Sequence, residues 1–289
     1  MTSEDLRDRV VVVTGAGSGI GHATALAFAR RGARIAACDV AEPRLAALRG
    51  ELGDRALVVE RVDVADRAQM KRFADAVHAV APAADVVVNN AGVVVSGGFL
   101  ETTLDDWDWL LGVNLRGVVH GCHFFLPNMV ARGAAPGHGS QPGPLPSGLV
   151  GHVVNVSSIF GIYPAPGVTA YVASKFAVRG LSQSLREELA PHRIGVTAIC
   201  PGMIATQIVE DGRTTAAMAS RKERVARTFA SRGAPPSRVA DAIVDAVTRS
   251  NPAVRTVGRD ARVLAALTRL APLAVSRIGG KLSRRLGAA

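Results

Sequence analysis

The strongest constraint on the fold is a repeated alternation along the chain. Seven short runs, at 10–14, 34–39, 56–62, 85–89, 151–156, 194–200 and 253–257, are nearly continuous in Val, Ile and Ala, and stretches of helical periodicity lie between them. A strand that is apolar at every position must be buried on both faces, and parallel strands obtain that burial from crossover helices. The intervals place helices at 20–31, 43–50, 66–80, 104–132, 168–190, 214–231 and 237–249, with Gly32 closing the first and Pro191 stopping the fifth. The expected class is α/β, a Rossmann-type doubly wound parallel sheet of about seven strands in one domain over 1–258, followed by an amphipathic C-terminal extension over 259–289. One segment breaks the rhythm. Residues 133–148 carry four prolines and are expected to hold neither helix nor strand. A flexible Pro/Gly-rich insertion is read over 133–150, with no catalytic role, projecting from the amino end of the sheet because it precedes the fifth strand.

The composition supports a large core: 48% of the 289 residues are hydrophobic and 20% are charged. The excess of ten positive charges is concentrated near the end, where 253–289 holds eight bases and the single acid Asp260. The remainder is nearly neutral, which argues against a nucleic-acid-binding domain. Cys38, Cys122 and Cys200 lie far apart without metal-ligand spacing, so neither a disulfide framework nor a metal site is expected, and a reducing, cytoplasmic setting fits. The first residues mix acids and bases ahead of a strand and do not read as a signal peptide, and no run reaches the ~18 apolar residues of a membrane span. Within Arg259–Leu270, Val263, Leu264, Leu267 and Leu270 share a helical face opposite Arg262 and Arg269, before Pro272 and Gly279-Gly280 interrupt the period. Three readings stay open for this segment: contact with an anionic membrane surface, packing on the substrate pocket or a neighbouring subunit, or a frayed solvated tail.

The first strand runs into Thr14-Gly15-Ala16-Gly17-Ser18-Gly19-Ile20-Gly21 at the start of a helix. Glycines let the backbone turn tightly and approach a pyrophosphate, whose charge the helix N-terminus then holds. The GxGxxG spacing fails here, and TGxxxGxG, with Gly15, Gly19 and Gly21, is the pattern that fits. Asp39 ends the second strand, where a carboxylate accepts from both hydroxyls of an adenine ribose and repels a 2′-phosphate. Neither Ser18 nor Val40 supplies an arginine, so NAD is favoured over NADP, although Arg34 and Arg44 lie near enough to leave NADP open.

Of two tyrosines, Tyr163 and Tyr171, the second has a lysine four residues on, in Tyr171-Val-Ala-Ser-Lys175. That spacing puts both side chains on one helical face, where an ammonium favours the ionised phenol and moves it from its unperturbed value of ~10 toward working pH. Asn155-Val-Ser-Ser158 ends the preceding strand, so that the Ser158 hydroxyl and the phenol can meet across a shared substrate.

With these motifs the chain resembles the short-chain dehydrogenase/reductase family over residues 8–257. Asn89-Asn90-Ala91-Gly92 is similar to its NNAG, Asn114 to its helix asparagine, Pro201-Gly202 to its PG turn and Asp63, beside Val64, to its adenine-side acid. The resemblance implies that Tyr171 is the acid/base, that Ser158 hydrogen-bonds the reacting oxygen, that Lys175 holds the nicotinamide ribose and tunes Tyr171, and that Asn114 completes a proton path. By the family's spacing Ser158 is preferred to Ser157. Cofactor contacts are implied for Gly15, Ser18, Gly19, Ile20, Gly21, Asp39, Asp63, Val64, Asn90, Ala91, Gly92, Tyr171, Lys175, Pro201, Gly202, Ile204 and Thr206, the last in the place of the family's carboxamide-binding threonine. The tail beyond Val257 replaces the short glycine-rich ending of many members, so a homodimer or homotetramer is expected without that ending's packing.

The activity so implied is an NAD(P)-dependent oxidoreductase, NAD-preferring, that interconverts a secondary alcohol and its ketone. Val93, Val94, Val95, Ile159, Phe160, Tyr163, Met203, Ile204 and Ile208 offer an apolar lining, with Val94, Phe160, Tyr163, Met203 and Ile208 as the main pocket, and point to a bulky hydrophobic substrate. Two alternatives remain: a cofactor-binding regulator or scaffold without turnover, and an isomerase or dehydratase on the same scaffold.

Overall fold

The structure is a computed structural model that describes residues 6–134 and 144–271. Its strands are β1 (Val10–Thr14), β2 (Arg34–Asp39), β3 (Ala56–Arg61), β4 (Val86–Asn89), β5 (Val95–Ser96), β6 (Gly151–Val156), β7 (Ile194–Pro201), β8 (Arg213–Thr214) and β9 (Val254–Val257). Its helices are α1 (Gly19–Ala29), α2 (Glu42–Leu52), α3 (Arg67–Val80), α4 (Leu104–Leu111), α5 (Gly117–Ala134), α6 (Thr169–Leu189), α7 (Ala216–Arg232), α8 (Pro236–Asp245) and α9 (Arg259–Leu270).

Seven strands form one parallel sheet in the order β3-β2-β1-β4-β6-β7-β9. The period of two along each strand explains why alternation of apolar and polar residues is missing from the sequence. Val11 and Val13 enter the layer built with α1 and α8, whereas Val10 and Val12 enter the opposite layer with α3, α5 and α6. The chain steps outward from β1 to β2 and β3, then returns to lay β4 on the other side of β1. This reversal opens a crevice at the carboxyl ends of β1 and β4, where such sheets bind ligands.

Several elements depart from the sequence reading. The run at 104–132 is two helices joined by a π-type turn at Gly112–Arg116. The extra residue in that turn carries Asn114 inward, a common use of such bulges. A second π-type turn, Ala246–Ser250, follows α8. The helix expected from 214 starts at Ala216, because Arg213 and Thr214 pair with Val95 and Ser96 in a separate two-stranded ribbon.

Gly133 and Ala134 finish α5, and residues 135–143 of the insertion lie outside the described residues. The part after them is packed rather than free: Leu145 is 2% exposed and belongs to the core. The Pro144 carbonyl accepts from Arg9 at 2.8 Å. Arg9 and Arg132 each reach Asp85 at 3.0 Å, and the Val10 amide donates to the same carboxylate at 2.8 Å. This buried cluster ties the segment from Pro144 to the amino edge of the sheet.

Helix α9 packs through Ala261, Leu264 and Ala265, whereas Val263, Leu267 and Leu270 are exposed. The apolar face read from the sequence is therefore split, with Leu264 turned inward. Pro272, Gly279 and Gly280 lie outside the described residues. Among the described residues no helix is long and apolar enough to cross a membrane.

Candidate active site

The crevice begins at the turn after β1. Gly15 and Gly19 adopt φ values of +64° and +52°, which favour glycine. A Cβ on Gly21 would run into the Gly15 carbonyl. The Asn90 side chain donates to the carbonyls of Thr14 at 2.9 Å and Gly15 at 3.1 Å, while the Thr14 hydroxyl accepts from the amides of Asn90 and Ala91 at 3.0 and 3.1 Å. These bonds fix the turn's shape from β4. Ser18 occupies the N-cap position of α1 without a side-chain cap, and no acid lies in the first turn. The first amides of α1 thus keep their capacity for an anion held by the cradle, which is what a pyrophosphate requires.

Asp39 ends β2 with both carboxylate oxygens engaged, one accepting from the Gly17 amide at 2.9 Å and the other from the Ala41 amide at 3.0 Å. Each oxygen retains a lone pair for a ribose hydroxyl. Arg44 is committed to Asp211 in a two-pronged pair at 2.8 and 3.2 Å, and Arg34 opens β2 at the opposite edge of the sheet. Arg61, absent from the sequence reading, lies in register with Asp39 and donates to the Val40 carbonyl at 3.1 Å. Asp63 accepts from the Ala65 amide at 2.9 Å, and the Val64 carbonyl meets His120 at 2.8 Å.

Ser158, Tyr171 and Lys175 converge at the carboxyl end of β6, exposed by 7%, 8% and 3%. The Ser158 hydroxyl lies beside the Tyr171 phenol, where it favours the ionised form, and it accepts from the Phe160 amide at 3.1 Å. Ser157 is turned away, its hydroxyl donating to the Lys175 carbonyl at 2.8 Å. The Lys175 ammonium donates to the Val156 carbonyl at 2.9 Å and stands 5.5 Å from the centre of the Tyr171 ring. Burial pushes the Tyr171 phenol up to about 12, with the Ser158 hydroxyl opposing, and pushes Lys175 down to about 8. This corrects the sequence expectation. Burial, the largest cause for both groups, disfavours the charged form of each, so the phenol moves up and the ammonium down. Cys200 shares the pocket, and burial pushes its thiol up to about 11.

Asn114, fully buried, spends its side chain on the backbone of Val93, accepting from the amide at 2.8 Å and donating to the carbonyl at 2.9 Å, and it donates to the Ser174 hydroxyl at 3.1 Å. It therefore braces the strand-to-loop turn rather than bonding Lys175. A Cβ on Gly92 would stand 3.3 Å from the Lys175 ammonium and 3.4 Å from the Asn114 carboxamide oxygen, so Gly92 borders the space between them.

On the substrate side Val93, Val94, Val95, Phe160 and Ile208 pack with Tyr171 in one apolar cluster, and Phe160 meets the Tyr171 ring edge-on at 6.3 Å. Tyr163 and Met203 are not among the side chains packed there. Trp107, Trp109 and Leu110 are, and the sequence reading missed them. Arg213 lies 4.1 Å from the centre of the Trp109 ring and pairs with Asp106 at 3.0 Å, so the rim carries a cation that the apolar lining did not foretell. The presence of both of the chain's tryptophans in one short segment was the available signal. The three cysteines are free and buried, and the described residues hold no metal-ligand cluster.

The sequence matches the family model described as short chain dehydrogenase over residues 9–217. The chain belongs to the short-chain dehydrogenase family. Mycobacterium tuberculosis oxidoreductase EphD is 39% identical to this short-chain dehydrogenase over 276 residues, which are 93% of the chain and 44% of EphD. The chain thus spans less than half the length of that relative. M. tuberculosis oxidoreductase SadH is 36% identical across 91% of this chain and 90% of its own. Among solved structures, a short-chain dehydrogenase/reductase from Burkholderia phymatum in complex with NAD superposes with a TM-score of 0.78 at 28% identity, covering 93% of this chain and 95% of that one.

Proposed function

We propose that this short-chain dehydrogenase is an NAD-preferring oxidoreductase that interconverts a hydrophobic secondary alcohol and its ketone. The observation that carries the reading is the convergence of buried Ser158, Tyr171 and Lys175, with the ammonium 5.5 Å from the centre of the phenol ring, beside a glycine cradle that leaves the amides of α1 open. A bound nicotinamide supplies or accepts the hydride. The chain's own residues handle the substrate oxygen. In reduction Tyr171 gives its proton to the carbonyl oxygen as the carbon gains hydride, and Ser158 donates a hydrogen bond to the same oxygen. In oxidation the phenolate takes the hydroxyl proton. Lys175 and Gly92 border the place where a nicotinamide ribose would lie, while Asn114 holds Val93 and so the wall of that space.

Asp39 favours NAD through its charge, and the commitment of Arg44 to Asp211 withdraws the nearest guanidinium of α2 from a 2′-phosphate. The apolar cluster around Tyr171 supports a hydrophobic substrate. Two surfaces belong to the same reading: self-association through the α5–α6 face, and contact of the exposed stripe of α9 with an anionic bilayer.

The test is cofactor reduction across a panel of secondary alcohols with NAD and NADP in parallel, together with Tyr171→Phe. Turnover is expected with NAD and bulky apolar alcohols. Tyr171→Phe is expected to lower turnover by about 10²-fold or more while NADH still binds. Parent-level turnover in the variant, or turnover confined to small charged hydroxy acids, refutes the reading.

A further inference from the structure

We propose that Asp260, from the C-terminal helix α9, is a positioning residue of the cofactor site that holds the turn after β7 in its working shape. The inference rests on the dinucleotide reading of that turn. Strand β9 ends beside β7 with Val257 in register with Pro201, and the Val257 carbonyl accepts from the Gly202 amide at 2.9 Å. Gly258 then reverses the chain at φ +110°, a conformation open to glycine, and α9 starts at the next residue. In its first turn Asp260 reaches back across this reversal and accepts from the Met203 amide at 2.7 Å. Consecutive amides of the turn are therefore held by consecutive parts of the C-terminal segment, Gly202 by β9 and Met203 by α9. The fit leaves no slack, because a Cβ on Gly202 would run into both oxygens of Asp260.

The residues just beyond Met203 face the crevice. The Met203 carbonyl accepts from the Ala234 amide, and the Ala205 amide donates to the Ala234 carbonyl, both at 2.9 Å. Thr206 then lies against the phosphate turn, its methyl group 2.9 Å from where a Cβ on Gly19 would stand. Two residues later Ile208 packs in the cluster around Tyr171. A shift at Met203 therefore moves the residues that close the crevice over α1. An acid in the first turn of a helix often serves only that helix's dipole. Here the carboxylate also reaches out of its helix, to an amide 57 residues away in sequence.

The test uses the full chain, reads NADH affinity by fluorescence titration without substrate, and reads amide hydrogen exchange of the segment 202–208 without dinucleotide. Asp260→Ala is expected to weaken NADH binding about fivefold, as loss of an exposed hydrogen bond to a carboxylate would, and to speed exchange in 202–208. Asp260→Asn, whose carboxamide oxygen accepts the same amide, is expected to recover most of the affinity. Gly202→Ala is expected to weaken binding in the parent and to do so less in the Asp260→Ala background, since the obstruction is the carboxylate itself. Parent-like affinity and exchange in Asp260→Ala, additive effects in that pair, or an Asn variant as weak as the Ala variant overturns the proposal. A parent chain that binds no dinucleotide refutes the cofactor reading instead, and the exchange measurement still decides whether Asp260 holds the turn.

Discussion

His152 shows how a single buried group couples the stability of the fold to pH. Its ring lies near the start of β6 with no exposure, where burial and the nearby Arg186 push it down to about 3. It meets the Thr197 hydroxyl at 2.9 Å, and that hydroxyl donates to the Pro252 carbonyl at 2.7 Å. The folded chain thus keeps His152 neutral in a range where the unfolded chain, with histidine near its ordinary value of about 6.5, takes up a proton. Because the unfolded state binds more protons between about 6.5 and about 3, stability is complete above that window and drains away as pH falls through it, by an amount on the order of a few kcal/mol. His152→Asn, which keeps a polar partner for Thr197 and does not titrate, is expected to flatten the pH dependence of the urea midpoint between pH 6.5 and 4.5; equal slopes in parent and variant would refute this. At this scale the sequence was legible where chemistry is local. Tyr171 and Lys175 are four apart on α6, and Ser158 follows β6 by two residues, so local spacing together with the family resemblance put them forward as candidates. The ionisation of that pair was not legible, because burial set its direction and burial depends on everything packed around it. Asp260 was invisible for a related reason, since its partner lies 57 residues away and meets it through the packing of β9 on β7.

Elements were legible to the extent that their signal was a period. All seven strands of the sheet appear where short apolar runs placed them, and the mark is fullest in the inner strands β1, β4, β6 and β7, which are buried at every position, whereas the edge strands β3 and β9 carry Glu60, Arg61 and Arg255. The π-type turn at Gly112–Arg116 was not readable, because hydrogen bonds that slip by one residue leave the helical period nearly intact. The β5–β8 ribbon was not readable either, as two residues carry no period at all. Helix α9 is the mixed case: its amphipathic pattern was clear, but which part of it faces the body depended on Ala261 fitting against the sheet. The outward stripe of Val263, Leu267 and Leu270, 59%, 47% and 81% exposed, lies on a helix bearing Arg259, Arg262 and Arg269 against one acid. An apolar stripe bordered by arginines suits an anionic bilayer surface, where each base contributes about 1 kcal/mol. The full chain is therefore expected to cosediment with vesicles containing phosphatidylserine at low salt and to be released at high salt. Val263→Ser/Leu267→Ser should halve the bound fraction or more; a parent that stays in the supernatant rules the contact out.

At the scale of the whole molecule two clusters of buried side chains fill the faces of the sheet, and an apolar groove lies on the outer face of α5 and α6. A groove of about 460 Å³ runs there between Val119, Cys122, His123, Leu126, Pro127 and Val130 of α5 and Leu181 and Leu185 of α6. None of these residues is an Asp, Glu, Lys or Arg, whereas the outward faces of α3 and α7 are rich in charge. Val119 is 42% exposed, and Pro127 interrupts the amide ladder of α5 beside the groove. An uncharged face formed by two helices invites a second copy related by a twofold axis, because the same patch then covers itself. Neither sequence period shows this. The side chains facing the groove and those facing the core are apolar alike, so α5 reads as a helix buried all round. The protein is expected to run as a dimer or larger assembly in sedimentation velocity at micromolar concentration. Replacing Leu126 and Leu185 by Glu, at the middle of the groove, is expected to shift it to monomer while far-ultraviolet circular dichroism stays unchanged. A parent that sediments as a monomer at every concentration tested removes this face as the site of self-association, and a variant pair that still dimerises moves the interface elsewhere on the molecule.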